Sequence, residues 1–470
     1  MARQRGDGPS APAKHQATNS TIASNDGHLG DTVEPTRRPP FSNNPTVGVR
    51  GMHTQQSILK AALHMFGEVG YHACGVERIT KAAGCSRPSF YQYFSSKEDV
   101  FRQLAGTVAR RLGESTAALQ DVTPDRSGWH ELRDWLERYA DIYDEYEAVF
   151  ATFSTAAGSD SAVASGSERF GTRNAAVLAR RMRAAVSFET YRAESVVRVL
   201  LGAVARTNRY RDVLDRRSGS GVITRCRAND ALADVLHRIL FGLDDAVNVH
   251  RPPRGAARPA MTGAARPPVV ASADHRDLSP ALRETRQKLI DAATAVFVAR
   301  GYHGTRVDDI VEAAGTSHGT FYRYFDNKGQ LFRILALRAG TRVVAALDAV
   351  PDIAAAPRPH NTENTLREWL HRYSTTYVEE DSIIKVWVEA IARDAELSAV
   401  SFDAVEASRR RMAMFLKPRG FGDVDAEALV LLGLLDSERL AMSAPRSSEK
   451  TLDLVTDVIR RGFLGPDAPL

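Results

Sequence analysis

The chain has 470 residues, of which 43% are hydrophobic and 25% charged, with a formal charge of +5. This length allows two or more domains with separate cores, and the composition is that of a globular chain. The charge permits an acidic partner without requiring one, and no apolar run is long enough for a transmembrane helix.

Residues 1–50 are rich in Ser, Asn, Pro and Gly and lack apolar periodicity, so they read as a disordered tail, without the apolar core of a signal peptide. Arg37, Arg38 and Arg50 in this stretch can touch phosphates or remain solvated. A helix is predicted from Gln56, where Ile58, Ala62, Met65, Phe66 and Val69 recur at helical spacing. Gly70 is expected to end it with a left-handed cap. A short second helix carries Val76, Ile79 and Ala83. Gly84 makes a tight turn, and Ser86 is placed to cap a third helix with Pro88 in its first turn. Phe90 and Phe94 face inward, and Arg87, Ser89, Tyr91, Gln92 and Tyr93 face out. A short helix, a glycine turn and a second short helix with a polar outer face make the pattern of a helix-turn-helix. Lys97 follows, at the start of a longer fourth helix. A lysine is unfavourable at the positive end of a helix dipole, so it is expected to meet an outside anion such as DNA phosphate; a solvated surface lysine is the plainer reading.

The whole pattern then recurs. Residues 56–102 align without gaps on 287–333, and twenty of the 47 pairs are identical, so the chain is a tandem duplication. The second copy places Gly301 at the helix end, Gly315 at the turn, and Ser317, His318, Thr320, Phe321, Tyr322, Arg323, Tyr324 and Phe325 on the third helix, with Lys328 after it. Thr305 with Asp308 is predicted to form a capping box, and Cys74 replaces the threonine in the first copy. Further on, Leu132–Tyr139 matches Leu366–Tyr373, and Tyr143 matches Tyr377. Helical segments follow near 170–188, 193–209 and 228–242, and again near 400–417, 425–442 and 449–464. Strand signals are weak throughout.

Between the copies, 251–281 is rich in Pro, Ala and Gly and reads as a linker with an r.m.s. span of roughly 30 Å. Much of the basic excess lies there: residues 250–288 carry eight Lys and Arg against three Asp and Glu. Cys74, Cys85 and Cys226 have neither metal-ligand spacing nor a disulfide framework, which suits a reducing cytoplasm. No catalytic triad, paired histidines, phosphate loop or metal cluster stands out, so no enzyme activity or cofactor is expected. His72 and His303 are assigned to structure. The bundle aromatics Trp135, Tyr139, Tyr143, Tyr146 and Phe153, and Trp369, Tyr373, Tyr377 and Trp387, can line a ligand pocket or form ordinary core.

Phe-Tyr-x-Tyr-Phe, followed three residues later by Lys and preceded by Ala-Ala-Gly-x-Ser, resembles the TetR family of bacterial transcriptional regulators over 52–105 and 283–336. The resemblance implies an all-α fold of two tandem units: a helix-turn-helix head (51–111) with a helical regulatory domain (112–250), and, beyond the linker, a second head (282–342) with its own domain (343–470). It implies a cytoplasmic, nucleoid-associated repressor with a double-stranded DNA operator and an unknown small-molecule effector, pairing through its last helices as an intramolecular pseudo-dimer or a homodimer. By this resemblance Arg87, Ser89 and Gln92, and His318, Thr320 and Arg323, face bases or nearby backbone, with Ser86 and Ser317 at the helix starts. Tyr91, Tyr93, Tyr322 and Tyr324 resemble phosphate-contacting aromatics, Lys97 and Lys328 the phosphate lysine, and Thr305 the helix-start hydroxyl. Cys74 and Pro88 depart from the family pattern. Arginine is also suited on its own chemistry to pair bidentately with guanine. A binding module in which one head has lost DNA stays open as the alternative.

Overall fold

The computed structural model describes residues 49–159, 161–182, 193–218, 223–242, 279–350, 362–391, 394–419, 422–437 and 448–464. They all belong to one body within Pro40–Leu470. The expected tail and nearly all of the linker lie outside these residues. Among the described residues there is no strand, and no helix is long and apolar enough to cross a membrane.

The first repeat runs α1 (Val49–Val69), α2 (Val76–Ala83), α3 (Arg87–Tyr93), α4 (Lys97–Ala118), α5 (Arg126–Glu145), α6 (Glu147–Ser159), α7 (Ser161–Arg181), α8 (Ala193–Ser218) and α9 (Arg225–Phe241). The second runs α10 (Pro280–Gly304), α11 (Val307–Ala313), α12 (His318–Tyr324), α13 (Lys328–Asp348), α14 (Thr362–Ala390), α15 (Ala395–Leu416), α16 (Val424–Ser437) and α17 (Ser448–Ile459). The first helix of each repeat starts seven residues before the predicted Gln56 and Gln287, at the matched positions Val49 and Pro280. The early turns carry little apolar signal: Met52 is among the exposed large hydrophobics. Gly70 ends α1 at φ +75°, and Gly301 breaks α10 at φ +70°.

Each head has its own core. Phe66, Ile79, Phe90, Phe94 and Phe101 are buried in the first, and Phe297, Ile310, Phe321, Phe325 and Phe332 in the second. Both cores run on into the regulatory helices, through Ile142 and Val149 in the first repeat and through Ile383, Val386 and Trp387 in the second. A third core joins the repeats, with Leu200, Val204, Leu232, Leu236 and Ile239 packed among Leu429, Leu432, Leu435, Val455 and Ile459.

In this shared core α8 and α9 pack against α16 and the segment 460–464 that follows α17. Two glycines allow close approach. A Cβ on Gly433 would stand 2.8 Å from the Thr207 hydroxyl and 3.0 Å from the Ala203 carbonyl. A Cβ on Gly462 would stand 2.7 Å from Ile239. Polar groups cross the same seam. Arg227 holds Asp423 through two bonds of 2.7 and 2.9 Å. Arg238 donates to Glu427 at 2.8 Å and to the Gly462 carbonyl at 2.8 Å. Burial pushes the Glu427 carboxyl up to about 7 although Arg238 pulls the other way. With both side chains almost fully enclosed, desolvation of the carboxylate outweighs the attraction.

Candidate nucleic-acid interface and bundle cavity

The two heads build the same turn from the same local rules. Gly84 sits at φ +65°, and the N–H groups of Gly84 and Cys85 return to the carbonyls of Lys81 and Thr80. Gly315 sits at φ +60°, and Gly315 and Thr316 return to Glu312 and Val311. This double bond to the last carbonyls is the Schellman arrangement, which wants a residue without Cβ at the left-handed position. Ser86 and Ser317 then cap the next helix, accepting the N–H of Ser89 and of Thr320 at 3.2 Å each. The Ser317 and Thr320 hydroxyls also lie 3.0 Å apart.

With the phenylalanines inward, Ser86, Arg87 and Gln92 are exposed on α3, and Ser89 and Tyr91 are half-buried. On α12, Ser317, His318 and Arg323 are exposed, Tyr322 is 56% exposed, and Thr320 and Tyr324 are half-buried. Tyr93 corrects the expectation. It is buried in the head's core beside Phe90 and Phe94, because its position on a seven-residue helix turns it inward.

The first residue of each recognition helix is tied to the preceding helix at matched positions. Arg87 Nη2 lies 3.1 Å from Glu77 Oε2, and His318 Nε2 lies 2.5 Å from Asp308 Oδ1. All four side chains are more than half exposed. A surface pair of this kind contributes roughly 0–1 kcal/mol, so it can orient the side chain without locking it away from DNA.

Three further expectations are corrected. Lys97 does not require an outside anion: its ammonium donates to the carbonyls of Tyr71 at 3.0 Å and His72 at 3.3 Å and lies over the Tyr71 ring. Lys328 donates to Tyr302 at 2.8 Å and Thr305 at 2.7 Å and lies over the Tyr302 ring. The carbonyl groups and aromatic ring just past the first helix of each repeat offset the lysine's poor place at a helix N-terminus. Thr305 is buried, and its hydroxyl donates to the Gly301 carbonyl at 2.7 Å, so it fastens the end of α10 and does not face DNA. The cap of α11 is shifted by one residue. Asp309, not Asp308, accepts the Arg306 N–H at 2.8 Å. That bond first, and Arg300 after it, hold the Asp309 carboxyl below its ordinary value. The matching helix α2 starts at Gly75 with no side-chain cap.

The regulatory helices hold a cavity of about 100 Å³. Tyr373, Tyr377, Ile384 and Trp387 of α14 line it, with Val343 and Val344 of α13 and Asp436 of α16. Ser401 and Ser408 of α15 add hydroxyls to it, and the other repeat contributes Arg206, Arg209, Tyr210 and Val213 of α8. Asp436 accepts the Tyr210 hydroxyl at 2.8 Å and lies 3.3 Å from Arg206. Of the nine bundle aromatics singled out as able to line a pocket, Tyr373, Tyr377 and Trp387 line this cavity. Trp135, Tyr139, Tyr143 and Trp369 are core instead: Tyr143 packs on Phe150 at 4.9 Å, and the Trp369 indole donates to Ala346 at 3.0 Å. The arginines of α8 and Asp436 were not foreseen, since charged residues on a helix read as solvated. Their one signal is the i, i+3, i+4 spacing of Arg206, Arg209 and Tyr210 beside a continuous apolar face.

The described residues contain no cluster of His, Cys, Asp and Glu that could hold a metal. Cys74 is buried, Cys85 is half-buried with its thiol pushed up by burial, and Cys226 is exposed.

A pair of capped, glycine-turned helix-turn-helix heads on an all-helical body defines the class as a tandem helix-turn-helix protein. Both heads are TetR-type DNA-binding domains: the sequence profile described as bacterial regulatory proteins, tetR family, matches residues 58–104 and 289–335. It is similar to the HTH-type transcriptional regulator YdgC of Bacillus subtilis, 39% identical over 70 residues, covering 15% of this chain and 36% of that protein. It is similar to the HTH-type transcriptional repressor AcnR of Corynebacterium diphtheriae, 33% identical over 105 residues, covering 22% and 53%. The HTH-type transcriptional activator FasR of Mycolicibacterium smegmatis is 31% identical over 151 residues, covering 27% and 65%. The chain thus spans less than two thirds of the length of each of these relatives. Among solved structures, the TetR family regulator PfmR of Thermus thermophilus aligns at 23% identity and a TM-score of 0.32, over 40% of this chain and 98% of that one.

Proposed function

We propose that the chain is a sequence-specific transcriptional repressor that binds double-stranded DNA in the bacterial cytoplasm and responds to a small-molecule effector. Its two recognition helices differ and read one operator. The observation that carries this reading is the repeated presentation of a polar helix face, Arg87 to Gln92 and His318 to Arg323, on a Schellman turn within a TetR-type head. Arg87, Gln92 and Arg323 supply the side chains that pair with base edges, and the hydroxyls of Ser89, Thr320 and Tyr322 suit phosphate and sugar. Unlike helices prefer unlike half-sites, so the operator is expected to be an imperfect palindrome or none.

The chain acts as a pseudo-dimer of its own repeats. Charge supports this. In all three ion pairs that cross the seam among the described residues, the arginine comes from the first repeat and the carboxylate from the second: Arg206 with Asp436, Arg227 with Asp423, Arg238 with Glu427. Two first repeats meeting from different chains would face arginine with arginine, which disfavours that pairing.

Selection of bound fragments from genomic DNA, with light scattering of the free protein, tests both statements. Enrichment of one site with unlike halves and a mass near 51.5 kDa is expected. No enrichment over random fragments refutes operator reading. A mass of about 103 kDa, twice the chain mass, at sub-micromolar concentration with a symmetric footprint refutes the pseudo-dimer. Expression of the neighbouring gene should rise when the chain is deleted; a fall would make it an activator, as FasR is named.

A further inference from the structure

We propose that the cavity between the repeats is a receptor site for a small organic carboxylate, held by the Arg209 guanidinium of the first repeat against the apolar wall of the second. This rests on the effector-responsive reading above and names its ligand class.

Among the described residues that line the cavity, two arginines face one carboxylate. Arg206 is matched by Asp436, which also takes the Tyr210 hydroxyl. Arg209 lines the same cavity and makes no hydrogen bond or ion pair among the described residues. Burial, and then the neighbouring Arg206, push its guanidinium below the ordinary value. Three other sheltered arginines are given an acid, Arg211 by Asp144, Arg238 by Glu427 and Arg409 by Glu406 at 2.8 Å, whereas Arg138 shares with Arg209 the lack of one among the described residues. Arg209 is half-buried, and a guanidinium that faces a cavity without an acid loses hydration with nothing in return. It is also a planar fork ready for a carboxylate, which it binds through two parallel hydrogen bonds.

The remaining wall decides what the carboxylate is attached to. Val343, Val344, Ile384 and Trp387 are apolar. The residual charge is a single positive one, which suits a monoanion better than a phosphate dianion. At about 100 Å³ the space is smaller than the ≈ 150 Å³ cavity that accepts benzene, and well below a drug-sized site. The fitting ligand is an acid of a few carbons.

The position also suggests what occupancy would do. Trp387 lines the cavity and belongs to the core of the second head, with its indole donating to the Leu397 carbonyl at 3.3 Å. Val343 and Val344 lie on α13, the helix that begins at that head. A bound acid therefore touches α8 of one repeat and the head-bearing helix of the other.

The test uses the full chain without DNA. Acetate, butyrate and inorganic phosphate are titrated, with sodium chloride as the ionic-strength control, reading the thermal midpoint and tryptophan fluorescence. Butyrate is expected to raise the midpoint saturably by mass action, and phosphate is expected to match sodium chloride. Arg209→Met should raise the half-saturating butyrate concentration roughly ten- to hundredfold, the range for a hydrogen bond to a charged group. Arg209→Lys keeps the charge without the fork and should fall between. Without ligand, Arg209→Met should melt at or above the wild-type midpoint, because an unpaired charge is removed. Four results overturn the proposal: no saturable response to either carboxylate, equal responses in wild type and Arg209→Met, phosphate acting like butyrate, or an unliganded Arg209→Met that melts below wild type or fails to fold. None of these involves DNA, so the site can fail while operator binding stands, and the converse.

Discussion

The two repeats began as one sequence, and their divergence is unevenly placed. The recognition turn is kept in both, with the same φ sign at Gly84 and Gly315 and the same serine cap. The helix before it is not. Asp309 caps α11, whereas α2 starts on Gly75 without a side-chain cap. Behind the heads the difference is larger. The first repeat breaks its long helix at Tyr146 and packs Phe150 onto Tyr143, while the second runs unbroken from Thr362 to Ala390 and keeps a cavity beside Tyr377. At the seam the repeats have become opposites, with arginines on one side and carboxylates on the other. Duplication frees two copies from having to be self-complementary, as a symmetric pair must be. Divergence has collected at the seam and the bundles and spared the turn that presents the proposed DNA-reading face.

The largest effect is expected from breaking the buried half of this complementarity. Arg238→Ala leaves Glu427 enclosed without its partner, and losing one side of a buried pair costs about 3–5 kcal/mol. Arg227→Ala removes a pair whose side chains are 41% and 34% exposed, so at most about 1 kcal/mol is expected. Chemical denaturation of both variants checks the ranking. Equal losses would mean that the seam does not depend on which pair is enclosed.

The heads come next. Ala substitutions of Thr320, Tyr322 and Arg323 together should cost more DNA affinity than the matched change at Ser89, Tyr91 and Gln92, because α12 stands on the capped helix α11. Within α12, Arg323→Ala should lose about 1–3 kcal/mol of discrimination at one base position, while Tyr322→Phe weakens all sequences alike. Binding measured at one fixed salt concentration decides; equal losses from the two matched sets would mean that the heads are equivalent. Lys328→Ala is now expected to act through the fold: it leaves the Tyr302 and Thr305 carbonyls without their donor and should lower the melting midpoint as well as affinity.

Smaller again is a pH effect of two buried carboxyls. Glu427 in the second repeat and Asp212 in the first are both pushed up to about 7, chiefly by burial. A carboxyl raised above its unfolded value stabilises the fold at low pH, and this contribution is lost as pH rises through about 7. Asp423, held low by Arg227 against the opposing effect of burial, works the other way, but its contribution fades only in acid, near and below its ordinary value. Between pH 5.5 and 8 the raised groups dominate, so the chain should melt lower at pH 8, by on the order of 1 kcal/mol. Glu427→Gln should flatten that slope. A variant with the wild-type slope would remove Glu427 as its source.

How much was legible depended on the range of the rule. Gly84, Ser86 and the pair Phe90 and Phe94 act within one turn of chain, and each does what its neighbours dictate. The lysine after the turn was misread because its acceptors at Tyr71 and His72 lie about 25 residues back. The cap expected at Thr305 and Asp308 falls one position later, at Arg306 and Asp309, since a helix start cannot be fixed from a Thr-x-x-Asp spacing when a second acid follows. The cavity was half seen. Tyr373, Tyr377 and Trp387 stood out as bundle aromatics, but Arg206, Arg209 and Asp436 reach it only because two distant helices cross near Gly433.

The smallest expected effect separates two meanings of the exposed pair Glu77–Arg87. If Glu77 only shields the guanidinium, Glu77→Gln removes a negative charge close to the proposed DNA face and frees Arg87 at a cost of less than about 1 kcal/mol of stability. Affinity should then rise a few-fold, and the slope of log affinity against log salt should steepen toward one more neutralised phosphate. If Glu77 instead aims Arg87 at a base, the same change should lower affinity for the best site and leave random DNA untouched. Asp308→Asn makes the matched test in the second head, where the partner is the imidazole of His318 and the ion pair exists only when that ring is protonated. The shielding reading expects a gain from both changes, the larger one from Glu77→Gln because Arg87 is always charged. Equal gains from the two variants would mean that the pairs at these matched positions play one role in spite of their different chemistry.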